Sequence, residues 1–170
     1  MGRIGKMIEI ITNIAILLVC ALLCWTVITH RSFSLDVFRH ATTIRGTTLP
    51  SVSGYNWSSH KRTLVLAIRL DCRFCEQSFP FYKRLSVLRA AGNLHAHVLA
   101  VMPDDAVSGA TTLKSVGITV EGVYGQPLAS LKISGTPTLL LVDDHAHILE
   151  EWVGRLNAQG ETEVISAAQM

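Results

Sequence analysis

Cys72 and Cys75 are the residues whose types and spacing most plainly permit chemistry. Two thiols separated by two residues can close a disulfide, exchange it with another molecule, or bind a soft metal ion. Their setting narrows the choice. The run from Leu64 to Leu70 is apolar apart from Arg69, and it breaks off in Asp71-Cys72-Arg73-Phe74-Cys75. Beyond it Phe81, Leu85 and Leu88 recur at the spacing of one helix face. The cysteines therefore fall where a strand hands over to a helix. Free N–H groups and the positive end of the helix dipole stabilise a thiolate there and lower its pKa. That makes Cys72 the exposed nucleophile and Cys75, one turn further in, its partner. Charged neighbours act on the same sulfur: Asp71 would raise the Cys72 pKa and Arg73 would lower it, in rough balance.

Two other uses of the pair stay open. A zinc site needs a second ligand pair at suitable spacing, and no further C-x-x-C or C-x-x-H follows, so the sequence assigns no metal ligands. A purely structural bridge across so short a loop would constrain the unfolded chain little.

The elements that must position the cysteines can be read in order. Thr63–Leu70 is a strand covered on both faces, as a central parallel strand requires. The helix after the cysteines runs to Ala91, stops at Gly92-Asn93, and is expected to kink at Pro80. His97–Met102 is a second strand; Asp104 or Asp105 then caps a helix over Ala106–Val116, ended by Gly117. Ile118–Tyr124 is a short strand, and Pro127 opens a short helix to Lys132. Ser134-Gly135-Thr136-Pro137-Thr138 leads into a strand over Leu139–Asp143. A turn from Asp144 to Ala146 joins it to a partner over His147–Gly154, with Leu149, Trp152 and Val153 partly inward. A last helix spans Ala158–Ala168.

With 170 residues, 49% of them hydrophobic, the chain can bury one ordinary core. The apolar run from Ile10 to Thr29 carries no charge and is long enough to cross a hydrocarbon layer of ~30 Å as a helix. No A-x-A-like site follows it, and the run exceeds a usual signal-peptide core, which favours an uncleaved anchor. The expected organisation is a short tail (1–9), a transmembrane anchor in the lipid bilayer (10–29), a juxtamembrane linker (30–45) and one domain (46–170). Arg3 and Lys6 on one side of the anchor, and Arg31, Arg39 and Arg45 on the other, leave orientation undecided by charge. Cys20 and Cys24 lie at i, i+4 within it and read as small apolar residues in lipid. A formal charge of +2, scattered along the chain, gives no basis for nucleic-acid binding.

Strand, C-x-x-C, a proline five residues beyond the second cysteine, then Gly135-Thr136-Pro137-Thr138 before a β-hairpin and a closing helix: this order resembles the thioredoxin-like fold. The G-x-x-L-P lead-in (Gly46, Leu49, Pro50) behind an N-terminal anchor is similar to the membrane-tethered TlpA/ResA (redoxin) branch. The resemblance covers Gly46 to the C-terminus. It implies an α/β architecture with a central mixed sheet flanked by helices, and a thiol-disulfide oxidoreductase needing no cofactor. In that scheme Cys72 attacks substrate disulfides and Cys75 resolves the mixed disulfide, the two forming the redox-active disulfide. Thr136 and Pro137 contact substrate, with Pro137 cis and packed against the pair, so that the Thr136 backbone faces an extended substrate segment. The implied partners are protein disulfides or dithiols and a membrane electron donor, with the domain on the outer, periplasmic or extracytoplasmic, face of the cytoplasmic membrane.

Three departures qualify the resemblance. Asp71 stands where most relatives have Trp, Leu66 stands where many bury an acidic residue, and Arg73-Phe74 is an unusual pair between the cysteines. The redox potential therefore does not transfer. The alternative function is metal handling, similar to thioredoxin-fold copper chaperones. It would combine the cysteines with His95-Ala96-His97 and His145-Ala146-His147, each of which sets two imidazoles on one face if extended. A peroxidase reading fails because Arg69 stands where a Thr is needed three residues before a peroxidatic cysteine.

Overall fold

The computed structural model describes residues 12–22, 25 and 43–170. The chain divides into two compact units, Met1–Thr42 and Thr43–Met170. In the first, residues 12–22 and 25 are helical and exposed, among them Ile14, Leu17, Leu18, Leu22 and Trp25. No helix among the described residues is long and apolar enough to cross a membrane. The expected tail (1–9), most of the linker (30–45) and Cys24 lie outside the described residues, as does part of the expected anchor.

The second unit is built on a mixed sheet of five strands: β1 (Arg62–Ala67), β2 (His97–Met102), β3 (Gly122–Gly125), β4 (Thr138–Asp143) and β5 (Ile148–Val153), in the order β3-β2-β1-β4-β5. β1, β2 and β3 are parallel neighbours, while β4 runs antiparallel to both β1 and β5. Helix α1 (Arg73–Ala90) connects β1 to β2, α2 (Ala106–Ser115) connects β2 to β3, and α3 (Ala158–Gln169) closes the chain. The two parallel crossovers step in the same direction along the sheet, so a common right-handed sense puts α1 and α2 on one face.

Strand alternation divides the core in two. Leu64, Leu66 and Ile68 point toward α1 and α3, where they meet Cys75, Phe81, Tyr82, Leu85, Val164 and Ala168. Val65 and Ala67 point the other way, onto Ile44, Leu49, Val52, Leu128 and Leu131. The second face is thus covered by the lead-in segment and by the short 3-10 helix Leu128–Leu131. The folded unit begins slightly ahead of the expected Gly46, because Ile44 is buried and its N–H donates to Glu151 Oε2 at 2.8 Å. Trp57 packs at the edge of this second core, edge-on to Tyr55 at 4.8 Å between ring centroids.

Several elements differ from the sequence reading, each for a physical reason. β1 ends at Ala67 rather than Leu70: its antiparallel partner is β4, Ala67 is opposite Thr138, and Pro137 just beyond has no N–H to extend the ladder. Ile118 belongs to no strand. It is buried as the apolar residue that follows the Gly117 turn, its N–H donating to the Leu113 carbonyl, and β3 is confined to the four residues Gly122–Gly125. Val153 points outward at 46% exposure because Trp152, its neighbour in the strand, takes the core side. The register of β5 shifts between Leu141 and Val142, leaving Leu149 as the extra residue; Ile148, opposite Val142, faces one core, and Leu149 packs against the other.

The punctuation that frames the cysteines is as expected. α1 ends in the left-handed Gly92 (φ 74°), with Asn93 N donating to Leu88 O at 2.9 Å and Gly92 N to Arg89 O at 3.0 Å, the paired bonds of a glycine-terminated helix. Pro80 lies inside this helix, which continues through it as one element. Asp105 caps α2 by accepting from Ser108 N at 2.9 Å.

Candidate functional site

At the C-terminal end of β1 the chain turns through Ile68–Asp71 into α1, and Cys72 is the residue that caps this helix. It is half-buried, while Cys75, in the first turn, is fully buried against Leu66 and Ile68. Both thiols are free. From the other side of the sheet, the Ser134–Pro137 segment brings the Thr136 carbonyl to Cys72, whose Sγ donates to it at 3.5 Å. The Thr136–Pro137 peptide bond is cis, Pro137 is buried, and its carbonyl accepts from Gly154 N at 2.7 Å. Cys72, Cys75, Thr136 and Pro137, separated by more than sixty residues in sequence, therefore stand together. The pairing of β1 with β4 brings them there, since Ala67 opposite Thr138 aligns the ends of the two strands.

The two thiols sit in opposite electrostatic situations. Burial pushes the Cys72 thiol up, but this is outweighed by its contacts with Thr136 and Cys75 and by the N–H groups of Cys75 and Phe74, leaving its pKa lowered. Those N–H groups are the unpaired donors of the first helical turn, directed at the sulfur although no capping bond of normal geometry closes onto the neutral thiol. Cys75 is pushed up from 9.0 to about 12, chiefly by burial and further by donating its proton toward Cys72. One sulfur is prepared as a thiolate and the other is held as a thiol. The pair can form a thiolate that attacks outward and a thiol that completes the exchange from behind.

The flanking charges are arranged differently from the expected balance of Asp71 against Arg73. Asp71 is held by a bidentate bond to Arg69, with Nε to Oδ1 at 3.0 Å and Nη2 to Oδ2 at 2.9 Å. Arg73 is exposed at the first helical position. The groups that set the Cys72 pKa are its own helix turn and Thr136 rather than these two charges. The sequence reading uses Arg69 only to set aside a peroxidase and gives it no role beside Asp71; its separation of two from Asp71 across the loop was the available signal. Phe74, between the cysteines, is 57% exposed and forms an apolar rim beside Cys72.

The histidines are elsewhere. Thr63 is opposite His97 in the β1–β2 register and Arg62 is opposite Asp143 in the β1–β4 register, so both histidine pairs lie at the N-terminal end of β1. Six strand residues, about 20 Å, separate that end from the cysteines. His97 stacks on His60 at 3.8 Å between ring centroids. The exposed His145 and His147 hydrogen-bond to Asp144 and Asp143. Among the described residues the group able to hold a metal ion is Asp143, Asp144 and His145, which contains no cysteine, and the two histidine pairs stand apart from Cys72 and Cys75.

Sheet order, helix placement and the cysteine–proline juxtaposition define a thioredoxin-like fold. Solved structures of that class align with the chain over most of their length. A thiol:disulfide interchange protein from Bacteroides sp. aligns at 18% identity over 74% of this chain and 91% of its own, with a TM-score of 0.58. A thioredoxin-family thiol:disulfide interchange protein from Chlorobium tepidum aligns at 16% identity over 74% and 98%, TM-score 0.55. The thioredoxin domain of a thiol-disulfide oxidoreductase from Bacteroides vulgatus aligns at 18% identity over 72% and 96%, TM-score 0.54. No family model and no curated protein sequence matches the chain.

Proposed function

We propose that this chain is a thiol-disulfide oxidoreductase of the membrane-tethered TlpA/ResA type, exchanging disulfides with protein substrates through Cys72 and Cys75. The observation that carries this reading is the asymmetry of the two thiols: Cys72 is accessible at a helix N-terminus with a lowered pKa, and Cys75 is buried behind it with a raised one. An inert bridge or a metal ligand pair has no need of that difference. In the forward half-reaction the Cys72 thiolate attacks a substrate disulfide, forming Cys72–S–S–substrate and releasing one substrate thiol. Cys75 then attacks Cys72 Sγ, the second substrate thiol leaves with the Cys75 proton, and the Cys72–Cys75 disulfide holds the two electrons' worth of oxidation. The exposed Phe74 and the backbone at Thr136 offer an apolar and a hydrogen-bonding contact to an extended segment beside Cys72.

The same reading places the anchor at residues 10–29 in the cytoplasmic membrane, the domain on its outer face, and a membrane electron donor upstream. Its support is the uncharged run Ile10–Thr29 and the exposed apolar helical residues within it. Trapping tests the chemistry. With Cys75→Ser expressed in its native compartment, mixed disulfides with substrate proteins should accumulate and be released by reductant, whereas Cys72→Ser and the double variant should trap few. Equal trapping by both single variants would contradict the assigned roles, and no trapping by either would contradict the oxidoreductase reading.

A further inference from the structure

The charges around Cys72 are not evenly neutralised. Among the arginines of the folded unit, Arg45, Arg69, Arg84 and Arg89 each pair with a carboxylate, and Arg62 donates to the Ala167 carbonyl. Arg73 and Arg155 have no carboxylate partner among the described residues. Both are exposed, and both stand beside the cysteines.

Arg73 opens α1, next to Cys72 in the chain. Arg155 arrives from the far end of β5. Gly154, in the left-handed region at φ 82°, turns the chain out of that strand while its N–H donates to the Pro137 carbonyl at 2.7 Å, so Arg155 departs from beside the cis proline. From there Arg155 Nη1 donates to Gln77 Oε1 at 3.3 Å. Gln77 is four residues beyond Arg73 and lies on the same stripe of the helix. The two guanidinium groups therefore share one flank of the site, between Cys72 at the helix tip and Pro137 across from it. The one hydrogen bond that Arg155 makes ends on a neutral amide, which leaves most of its planar fork free for a carboxylate.

The acidic groups near Cys72 are engaged or turned aside. Asp71 is held by Arg69, and Asp104 accepts from Leu70 N at 3.4 Å. Glu76 precedes Gln77 by one residue and so projects about 100° around the helix from it.

We propose that Arg73 and Arg155 select protein disulfides whose cysteine has an acidic residue two positions away in an extended segment. The inference rests on the oxidoreductase reading above and adds the class of substrate. Residues i and i+2 of an extended segment share a face, so a segment that offers its cysteine to Cys72 turns the side chains two residues away toward the same surface. A Glu or Asp there meets two unpaired cations; a Lys or Arg meets two like charges. Charges at such a rim act on encounter and orientation, and the chemical step is unchanged. Cys72 attacks the substrate disulfide and frees one substrate thiol, Cys75 attacks Cys72 Sγ and frees the second, and the protein's two thiols end as a disulfide while the substrate's two sulfurs are reduced.

The test uses the full chain carrying Cys20→Ser and Cys24→Ser, reduced in an uncharged detergent. It is mixed with symmetric disulfides of a five-residue peptide blocked at both termini, with Cys at the centre, Gly on each side of it, and Glu, Gln or Lys at both ends. Released peptide thiol is measured after acid quenching, and each rate is divided by that of the same disulfide with 2-mercaptoethanol, an uncharged thiol, which removes differences intrinsic to the peptide. One charge pair within several ångströms in water changes such a rate about threefold. The Glu peptide should therefore exceed the Gln peptide by about three- to tenfold at low salt, the Lys peptide should fall below it, and the preference should largely vanish at 1 M salt, where the Debye length is about 3 Å. Arg73→Gln and Arg155→Gln should each lower the Glu-over-Gln ratio about threefold; both residues are exposed, and thermal midpoints check that the variants stay folded. Lys114→Gln, which removes the same charge from the last turn of α2, should leave the ratio as it is. Equal normalised rates for the three peptides overturn the proposal, as does a ratio that both arginine variants retain or that Lys114→Gln lowers as much. Release of no thiol from any of the three disulfides would instead refute the oxidoreductase reading itself.

Discussion

At the scale of residues, the site works by setting two chemically identical side chains apart. Cys72 receives the unpaired N–H groups of a helix turn and a hydrogen bond from the Thr136 side chain, whereas Cys75 receives burial. A thiol raised on folding contributes stability that is whole below its unfolded pKa, 9.0 for Cys75, and is lost as pH climbs toward its folded value, about 12. Cys72, lowered on folding, has the opposite sign: its contribution is present above 9.0 and fades as pH falls through its folded value. The reduced protein should therefore lose thermal stability between about pH 9 and 12, and closing the disulfide should remove the part due to Cys75. Thermal unfolding of the two redox forms across that range checks this; superimposable pH curves would contradict it. The Arg69–Asp71 pair gives a second expectation. With Arg69→Ala the Asp71 charge is uncompensated and the Cys72 pKa should rise; with Asp71→Asn the freed guanidinium should lower it. The pH dependence of Cys72 alkylation reads both, and shifts of the same sign would refute the pairing.

At the scale of elements, the site exists because β1 ends where β4 begins. Much of this was legible: an apolar strand breaking into C-x-x-C, the Gly92 stop, and Thr136-Pro137 ahead of an apolar strand each have a local physical signature, and their assembly followed the resemblance. What was not legible depends on partners distant in the chain. The end of β1 at Ala67 is set by Pro137, seventy residues on, and the Arg69–Asp71 contact depends on how the loop after β1 folds back. Tyr82 was hidden by reading the helix face from Phe81, Leu85 and Leu88; Cys75, Ser78, Tyr82 and Leu85 trace the same inward face at equally helical spacing. The closing helix offers a direct check of element energetics. Asn157 caps α3 by accepting from Gly160 N at 2.9 Å, and the helix seats Val164, Ala167 and Ala168 in the core. Asn157→Ala should cost about 1 kcal/mol and lower the thermal midpoint by about 3–5 °C without changing Cys72 reactivity. A change in alkylation rate would show that α3 bears on the site.

At the scale of the whole molecule, a domain proposed to exchange disulfides is proposed to sit behind a lipid anchor, with its histidine pairs apart from Cys72 and Cys75. The full chain should fractionate with membranes and keep its N-terminus, with the domain open to protease from the outer face; a soluble mature form beginning near residue 30 would contradict the anchor. Reduced protein offered copper or zinc should bind weakly, and should lose little when His95, His97, His145 and His147 become Ala, since the fold holds them about 20 Å from the cysteines. Stoichiometric binding that depends on both a cysteine and a histidine would overturn that conclusion.

The central claim, that Cys72 and Cys75 form an exchanging disulfide, is tested most directly by the reduction potential of the couple, measured by equilibrating the protein with glutathione buffers and counting free thiols. The account expects a two-electron couple between about −270 and −120 mV, the span of thiol-disulfide exchange proteins, lost in either single Cys→Ser variant. A potential below about −300 mV, characteristic of inert structural bridges, or the absence of any disulfide between the two residues, would contradict it.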